Sequence, residues 1–315
     1  MAMARLAFFT TLSMWWSSER MPGRDWQTEF HARLFKRFFT AANKYGPNWS
    51  RSVMNSLKFR ASALQKVELD DTEIANVPTL IITPHELDTN AKRILVYIHG
   101  GGYVTGSPWA YRAFLARLAV QSGLKIIAPD YRLSPEHPFP IPQQDTYAVV
   151  AALAEQYPDD QLVLMGDSAG GALCISTALH ADVPKDRIAG LGLISPWVDP
   201  LASDGTIISN QVNDMFLKHF LLDSFYAHMN GADQTDDRVN FKDADLSSLP
   251  PLLIQVAGGE VFYDQICEFA ERAKTSGVDT ELENYPTQFH VFQTLAHGFE
   301  ESKQARRSLV NFALK

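Results

Sequence analysis

Cysteine is scarce. Only Cys174 and Cys267 occur in 315 residues, both in segments patterned as helices, with no CxxC pair and no histidine at ligand spacing. A disulfide framework and a zinc site are not expected, and both thiols read as small buried hydrophobes in a reducing, cytoplasmic compartment. Long apolar runs are also missing, so no membrane-inserted helix is expected. The stretch Leu6 to Trp16 after Arg5 resembles a signal peptide, but it is short, broken by hydroxyls and without a small-x-small cleavage site, and we read it as an amphipathic helix packed on the rest of the chain. Positive charge is not in excess: 28 Lys and Arg against 36 Asp and Glu leave −8. Without a basic face to neutralise phosphates, nucleic-acid binding is excluded. Glycine (18) and proline (17) are at ordinary levels, which excludes collagen-like and low-complexity chains. The chain does have apolar material: 46% of its residues are hydrophobic and 20% charged, enough for a sizeable core.

Residues 1–60 pattern as helices. Phe30, Leu34, Phe35, Phe38 and Phe39 form a broad apolar stripe, with Arg33, Lys36 and Arg37 expected on the wet face. From about residue 78 short apolar strands alternate with helices. Expected strands are Thr79–Ile82, Ile94–Ile98, Lys125–Ala128, Leu162–Met165, Ile188–Ile194, Leu252–Val256 and Thr280–Tyr285. Expected helices are Ala110–Gln121, Asp145–Gln156, Ala169–His180, Gln265–Ser276 and Ser302–Leu314. That alternation implies an α/β protein, a mostly parallel central sheet with helices on both faces. The polar stretch 200–249, carrying Met215, Phe216, Phe220 and Phe225, interrupts the rhythm and reads as a helical insertion. We therefore expect one catalytic unit, residues 61–315, capped by that insertion and by residues 1–60.

The strongest motif is Gly166-Asp167-Ser168-Ala169-Gly170-Gly171, between a strand and a helix. A G-x-S-x-G turn there lifts the serine hydroxyl out of the sheet, and its strain demands small neighbours. The helix N-terminus behind it favours developing negative charge. Ser168 is the candidate nucleophile. A second motif, His99-Gly100-Gly101-Gly102-Tyr103, follows another strand. Its backbone N–H groups could form an oxyanion hole with that of Ala169; Gly101 and Gly102 are the preferred donors, with Gly100 as substitute. A phosphate loop is the weaker reading, because no Lys-Ser/Thr follows. His99, at a strand end, reads as a support for the loop rather than as the base.

In this architecture the acid and then the base follow the serine along the chain. His290, in the loop after the last strand, is the candidate base, with His297 as fallback. Glu260, just past Leu252–Val256 and behind two glycines, is the candidate acid. Asp264, explicable as a helix N-terminal charge, and Asp199 are the alternatives. No metal, nucleotide or flavin pattern is visible, so no cofactor is expected.

These motifs, with Tyr97-Ile98 ahead of the glycines, Asp130 to Pro140, Ser195-Pro196-Trp197, Gly259-Glu260-Val261 and His290-Val291-Phe292, resemble the hormone-sensitive-lipase-like family of α/β-hydrolases, which includes bacterial acetyl esterases. The resemblance spans about residues 93–300. It implies an α/β-hydrolase fold with a helical cap and hydrolysis of small esters through Ser168, His290 and Glu260, with Gly101, Gly102 and Ala169 as the oxyanion hole. It also implies an apolar acyl pocket, for which Phe8, Phe9, Trp15, Trp16 and Phe38 are candidates, acyl groups from acetyl to about hexanoyl, and a possible homodimer. Two positions depart: Ser134 replaces a usual Ala, and Gly259 stands where members often carry Asp. Arg132 and Glu136 are expected to pair structurally. Lactone or amide hydrolysis would use the same residues, and some members of the fold only bind small molecules.

Overall fold

The computed structural model describes residues 6–11, 14, 21–56, 61–214 and 218–315. Its strands, in chain order, are β1 (Val67–Ile74), β2 (Val77–Pro84), β3 (Arg93–Ile98), β4 (Ile126–Pro129), β5 (Gln161–Asp167), β6 (Ile188–Ile194), β7 (Leu252–Ala257) and β8 (Thr280–Tyr285). They form one sheet in the order β1-β2-β4-β3-β5-β6-β7-β8. Every pairing from β4 to β8 is parallel, and β2 pairs antiparallel with both β1 and β4. The near-continuous apolar runs of β3, β5, β6 and β7 are buried because helices cover both faces.

The expected helices are present with slightly different ends: α3 (Pro108–Ser122), α4 (Ile141–Gln156), α5 (Ala169–His180), α8 (Tyr263–Thr275) and α10 (Glu300–Leu314). Before them come α1 (Trp26–Tyr45) and α2 (Pro47–Ser56); α6 (Thr206–Ser209) and α7 (Lys218–Met229) lie between β6 and β7, and α9 (Phe292–Leu295) follows β8. Local chemistry sets the bounds of α3: the Ser107 hydroxyl accepts the Ala110 N–H, Pro108 opens the first turn, and Gly123 closes the last at φ 68°. Helices α5 and α10 both lie across β3 and β6, so they occupy opposite faces; α4 packs beside α5 and α3 beside α10.

That arrangement positions the site. The chain leaves β3 for α3 and β4 on one side, then returns to β5 and builds the sheet the other way. The strand ends at β3 and β5 are therefore a switch point, where an open α/β sheet leaves a crevice.

Two expectations need correction. Strand β1 was not foreseen: Glu68, Asp70, Asp71 and Glu73 remove the alternation that marks a half-buried strand, and such charges suit a sheet edge. Lys36 is not on the wet face of α1; it is half-buried and its Nζ donates to the Gln211 and Val212 carbonyls in the insertion. The apolar stripe of α1 does pack inward, Phe35 against Phe289 and Phe39 against Phe220 of α7. Met215 and Phe216 lie outside the described residues. Among the described residues, no helix is long and apolar enough to cross a membrane.

Candidate active site

Ser168 sits between β5 and α5 with φ 53° and ψ −121°, a region that costs a non-glycine residue energy. Its neighbours explain how the turn survives. A Cβ at Gly170 would lie 2.1 Å from the Ile98 carbonyl oxygen, and one at Gly166 would lie 2.6 Å from the Gly170 carbonyl. The Ser168 N–H donates to Ile194 at 2.9 Å, and its carbonyl accepts the Trp197 N–H at 3.1 Å, which pins the turn to β6 and the loop after it. Ser168 is 5% exposed.

The neighbouring Asp167, to which the motif had assigned no role, organises the glycine loop. Its Oδ1 accepts the Tyr97 hydroxyl at 2.8 Å and the Gly100 N–H at 3.0 Å, and its Oδ2 accepts the Tyr111 hydroxyl at 2.8 Å. Burial raises the Asp167 pKa, and these three donors work against that. The Gly100 N–H is thus committed to Asp167, which favours Gly101 and Gly102 over Gly100 as candidate oxyanion donors. Gly101 has φ 121° and Gly102 φ 63°. At Gly101 a Cβ would also meet the Thr105 carbonyl oxygen at 2.1 Å. His99 supports this loop: its ring stacks on Tyr131 and its Nδ1 lies 2.8 Å from the Gly100 carbonyl. Burial lowers its pKa to about 4, so it stays neutral.

On the far side of the crevice, Glu260 follows β7 and His290 follows β8. Both are fully buried, and His290 Nδ1 lies 2.5 Å from Glu260 Oε2. Glu260 Oε1 accepts the Ala257 N–H at 2.8 Å and the Ser195 hydroxyl at 3.1 Å. Burial alone would lower the His290 pKa; the hydrogen bond and charge of Glu260, aided by Asp214 and Asp167, outweigh it and raise the pKa above 6.5. Ser195 (φ 47°) and Val291 (φ 50°) also hold left-handed backbone here, and the Val291 N–H points at the Ser195 hydroxyl at 3.4 Å.

The alternative residues are engaged elsewhere. Asp264 accepts the Thr206 N–H at 2.8 Å. Asp199 accepts the Leu201 N–H at 3.0 Å and faces Lys242. His297 packs beside Phe114, with its pKa lowered to about 3, mainly by burial. Arg132 and Glu136 do not pair: Arg132 binds Asp145, and Glu136 binds Arg51 of α2. Sequence reasoning missed Arg24, Asp214 and the supporting role of Ser195; only Ser195 lay within a motif.

Beside this centre lies an apolar cavity of about 50 Å³ lined by Phe35, Phe38, Met54, Tyr111, Phe114 and Leu295, among others. Its walls include Tyr111, the partner of Asp167, but not Ser168. Phe38 is thus at an apolar cavity. Phe8 and Phe9, expected at a pocket, are instead 62% and 45% exposed, since their short helical segment turns them outward. Trp15 and Trp16 lie outside the described residues. Cys174 is buried in α5 and Cys267 half-buried in α8, both as free thiols.

The chain as a whole is similar to known proteins. A family model described as the alpha/beta hydrolase fold matches residues 95–294. An esterase of Acinetobacter venetianus is 29% identical over 305 residues, 92% of this chain and 97% of the relative. An acetyl-hydrolase of Streptomyces hygroscopicus is 32% identical over 217 residues, 68% of this chain and 72% of the relative. Among solved structures, an esterase from the bacterial hormone-sensitive lipase family superposes with a TM-score of 0.77 at 27% identity, over 99% of this chain and 97% of that one. A hormone-sensitive lipase from a metagenome library gives 0.81 at 28% identity, over 90% and 97%. The chain belongs to the hormone-sensitive-lipase-like family of α/β-hydrolases and is a serine ester hydrolase.

Proposed function

We propose that this hydrolase cleaves short-chain carboxylic esters, acetyl to about hexanoyl, with Ser168 as nucleophile, His290 as general base and Glu260 as the acid that orients it. The observation that carries the reading is the buried 2.5 Å contact between His290 Nδ1 and Glu260 Oε2. It belongs to two loops on the same sheet edge as the Ser168 turn. With Nδ1 committed to Glu260, the ring presents Nε2 as its proton acceptor.

In the reaction, Ser168 Oγ attacks the ester carbonyl carbon while His290 Nε2 takes the hydroxyl proton. The carbonyl π electrons move to oxygen, and the N–H groups of Gly101, Gly102 and Ala169 stabilise that charge. Collapse of the tetrahedral species breaks the bond to the alcohol oxygen, which receives the proton from His290. Water then attacks the acyl-serine by the same route and releases the acid. The short-chain preference is supported by the near-complete burial of Ser168, which leaves little room around the nucleophile for a long acyl chain.

The test is turnover of a p-nitrophenyl ester series by the native chain and by Ser168→Ala. The reading expects the highest kcat/KM on acyl chains up to hexanoyl and no turnover by the folded variant. Wild-type turnover by Ser168→Ala would overturn the nucleophile assignment, and faster turnover of long-chain triglyceride emulsions would overturn the chain-length assignment.

A further inference from the structure

Arg24 lies outside every motif used above, yet its guanidinium is buried against the loops that carry Glu260 and His290. Its side chain is 1% exposed. Nε donates to the Thr287 carbonyl at 2.9 Å, Nη2 to the Gln288 carbonyl at 3.2 Å and Nη1 to the Asn213 carbonyl at 2.9 Å, with Glu29 Oε2 at 3.3 Å as counter-ion. Thr287 and Gln288 lie just before His290. The Gln288 carbonyl also accepts the Gly259 N–H at 3.1 Å, so one oxygen joins the Glu260 turn, the His290 loop and Arg24. Asn213 leads into Asp214, whose Oδ2 accepts the N–H of Val261, the residue after Glu260, at 2.8 Å.

The room for the guanidinium is built in. A Cβ at Gly259 would fall 2.3 Å from Arg24 Nη2 and 2.7 Å from the Gln288 carbonyl oxygen. Gly259 is not among the positive-φ glycines, so space rather than backbone conformation explains it. A planar fork with five donors can hold three carbonyls from two loops at once; an ammonium on a flexible stem cannot reproduce that geometry.

We propose that Arg24 is a positioning residue that sets the mutual placement of Glu260 and His290, an inference that rests on their assignment as acid and base. Both side chains project from irregular loops, and the guanidinium fixes the carbonyls of one loop relative to the turn of the other. Because proton transfer degrades steeply when groups move by about 1 Å, loosening this tether lowers turnover more than substrate binding.

The experiment uses the full chain with p-nitrophenyl butyrate and compares Arg24→Met, Arg24→Lys, Gly259→Ala and His290→Ala, with circular dichroism giving the folded fraction. For Arg24→Met, kcat per folded molecule is expected to fall about tenfold or more with KM changed less than about twofold, and millimolar guanidinium chloride restores part of kcat. Arg24→Lys retains more activity than Arg24→Met. Gly259→Ala, which keeps the arginine and displaces it, shows the same split between kcat and KM. If Arg24→Met does not fold, Arg24→Lys and Gly259→Ala carry the test. Unchanged kcat per folded molecule in the folded variants, or a loss confined to KM, overturns the proposal. Wild-type turnover by His290→Ala instead overturns the assignment of the base, a separate outcome.

Discussion

Glu260→Gln keeps the side-chain shape and removes its charge, so its effect can be worked from the contacts. One carboxylate oxygen accepts the Ala257 N–H at 2.8 Å and the Ser195 hydroxyl at 3.1 Å; the other lies 2.5 Å from His290 Nδ1. The Gln carbonyl oxygen can occupy only one of these places. The Ala257 donor is fixed backbone, so the oxygen takes that side and the amide N–H group faces Nδ1. The imidazole then carries its proton on Nε2, where the Ser168 proton has to go. Any imidazolium that forms also loses its counter-charge in a site closed to water. Together these effects amount to a loss of about 10³ to 10⁴ in kcat, or roughly 4 to 5.5 kcal/mol. The opposite amide orientation would oppose the Ala257 N–H with another donor and cost about 1–3 kcal/mol of stability instead. The assay is kcat and kcat/KM on p-nitrophenyl acetate as a function of pH, with thermal melts as control. In the native chain the base must be neutral to work, and the His290 pKa is raised above 6.5, chiefly by Glu260 acting against burial. Native kcat/KM therefore rises with pH through a midpoint above that value, and the variant's residual activity has its midpoint lower. A variant that loses less than tenfold, with its acid limb unmoved, would refute the reasoning.

Gly170→Ala should lower stability by about 3 kcal/mol or more, because its Cβ would sit 2.1 Å from the Ile98 carbonyl oxygen in a turn that cannot give way; an unchanged melting temperature would contradict this. Arg51→Met should destabilise the chain by about 1–2 kcal/mol in chemical denaturation, since Arg51 donates to the Val104 carbonyl at 2.8 Å and the Ser134 carbonyl at 2.7 Å besides pairing with Glu136. Asp130→Asn should stabilise the protein at pH 8. Burial, helped by Asp71, raises the Asp130 pKa to about 6, so the folded state holds the proton more tightly than the unfolded chain and keeping the carboxyl ionised above pH 6 costs stability. Discounted for partial exposure, the gain is about 1–2 kcal/mol; it should disappear below the unfolded-state pKa near 4, and a gain that persists there would contradict the assignment.

The sequence carried the fold where physics leaves a periodic mark. The runs of β5, β6 and β7 are apolar because both faces of the sheet are covered, and their ends fell within two residues of expectation. Strand β1 left no such mark, since one edge of the sheet is wet and its residues serve solubility. At the candidate site, motif spacing and chain order pointed to Ser168, Glu260 and His290, and the fold brings Glu260 and His290 into contact. Arg24 was not: a lone arginine before a helix resembles any surface cation, and its meaning comes from loops more than 180 residues away that only folding brings to it. Arg132 and Glu136 illustrate the converse. Their sequence proximity suggested a pair, but the β4–α4 loop points Arg132 at Asp145 and leaves Glu136 to Arg51 of the N-terminal helices.

The central claim is that Ser168 becomes covalently acylated with help from His290. The most direct measurement is intact-protein and peptide mass spectrometry after brief incubation with a fluorophosphonate or an acid-quenched p-nitrophenyl ester. The account predicts a single adduct, located on the peptide containing Ser168, absent from Ser168→Ala and formed at least about a hundredfold more slowly in His290→Ala. An adduct on another residue, or labelling of Ser168 at the native rate when His290 is gone, would contradict it.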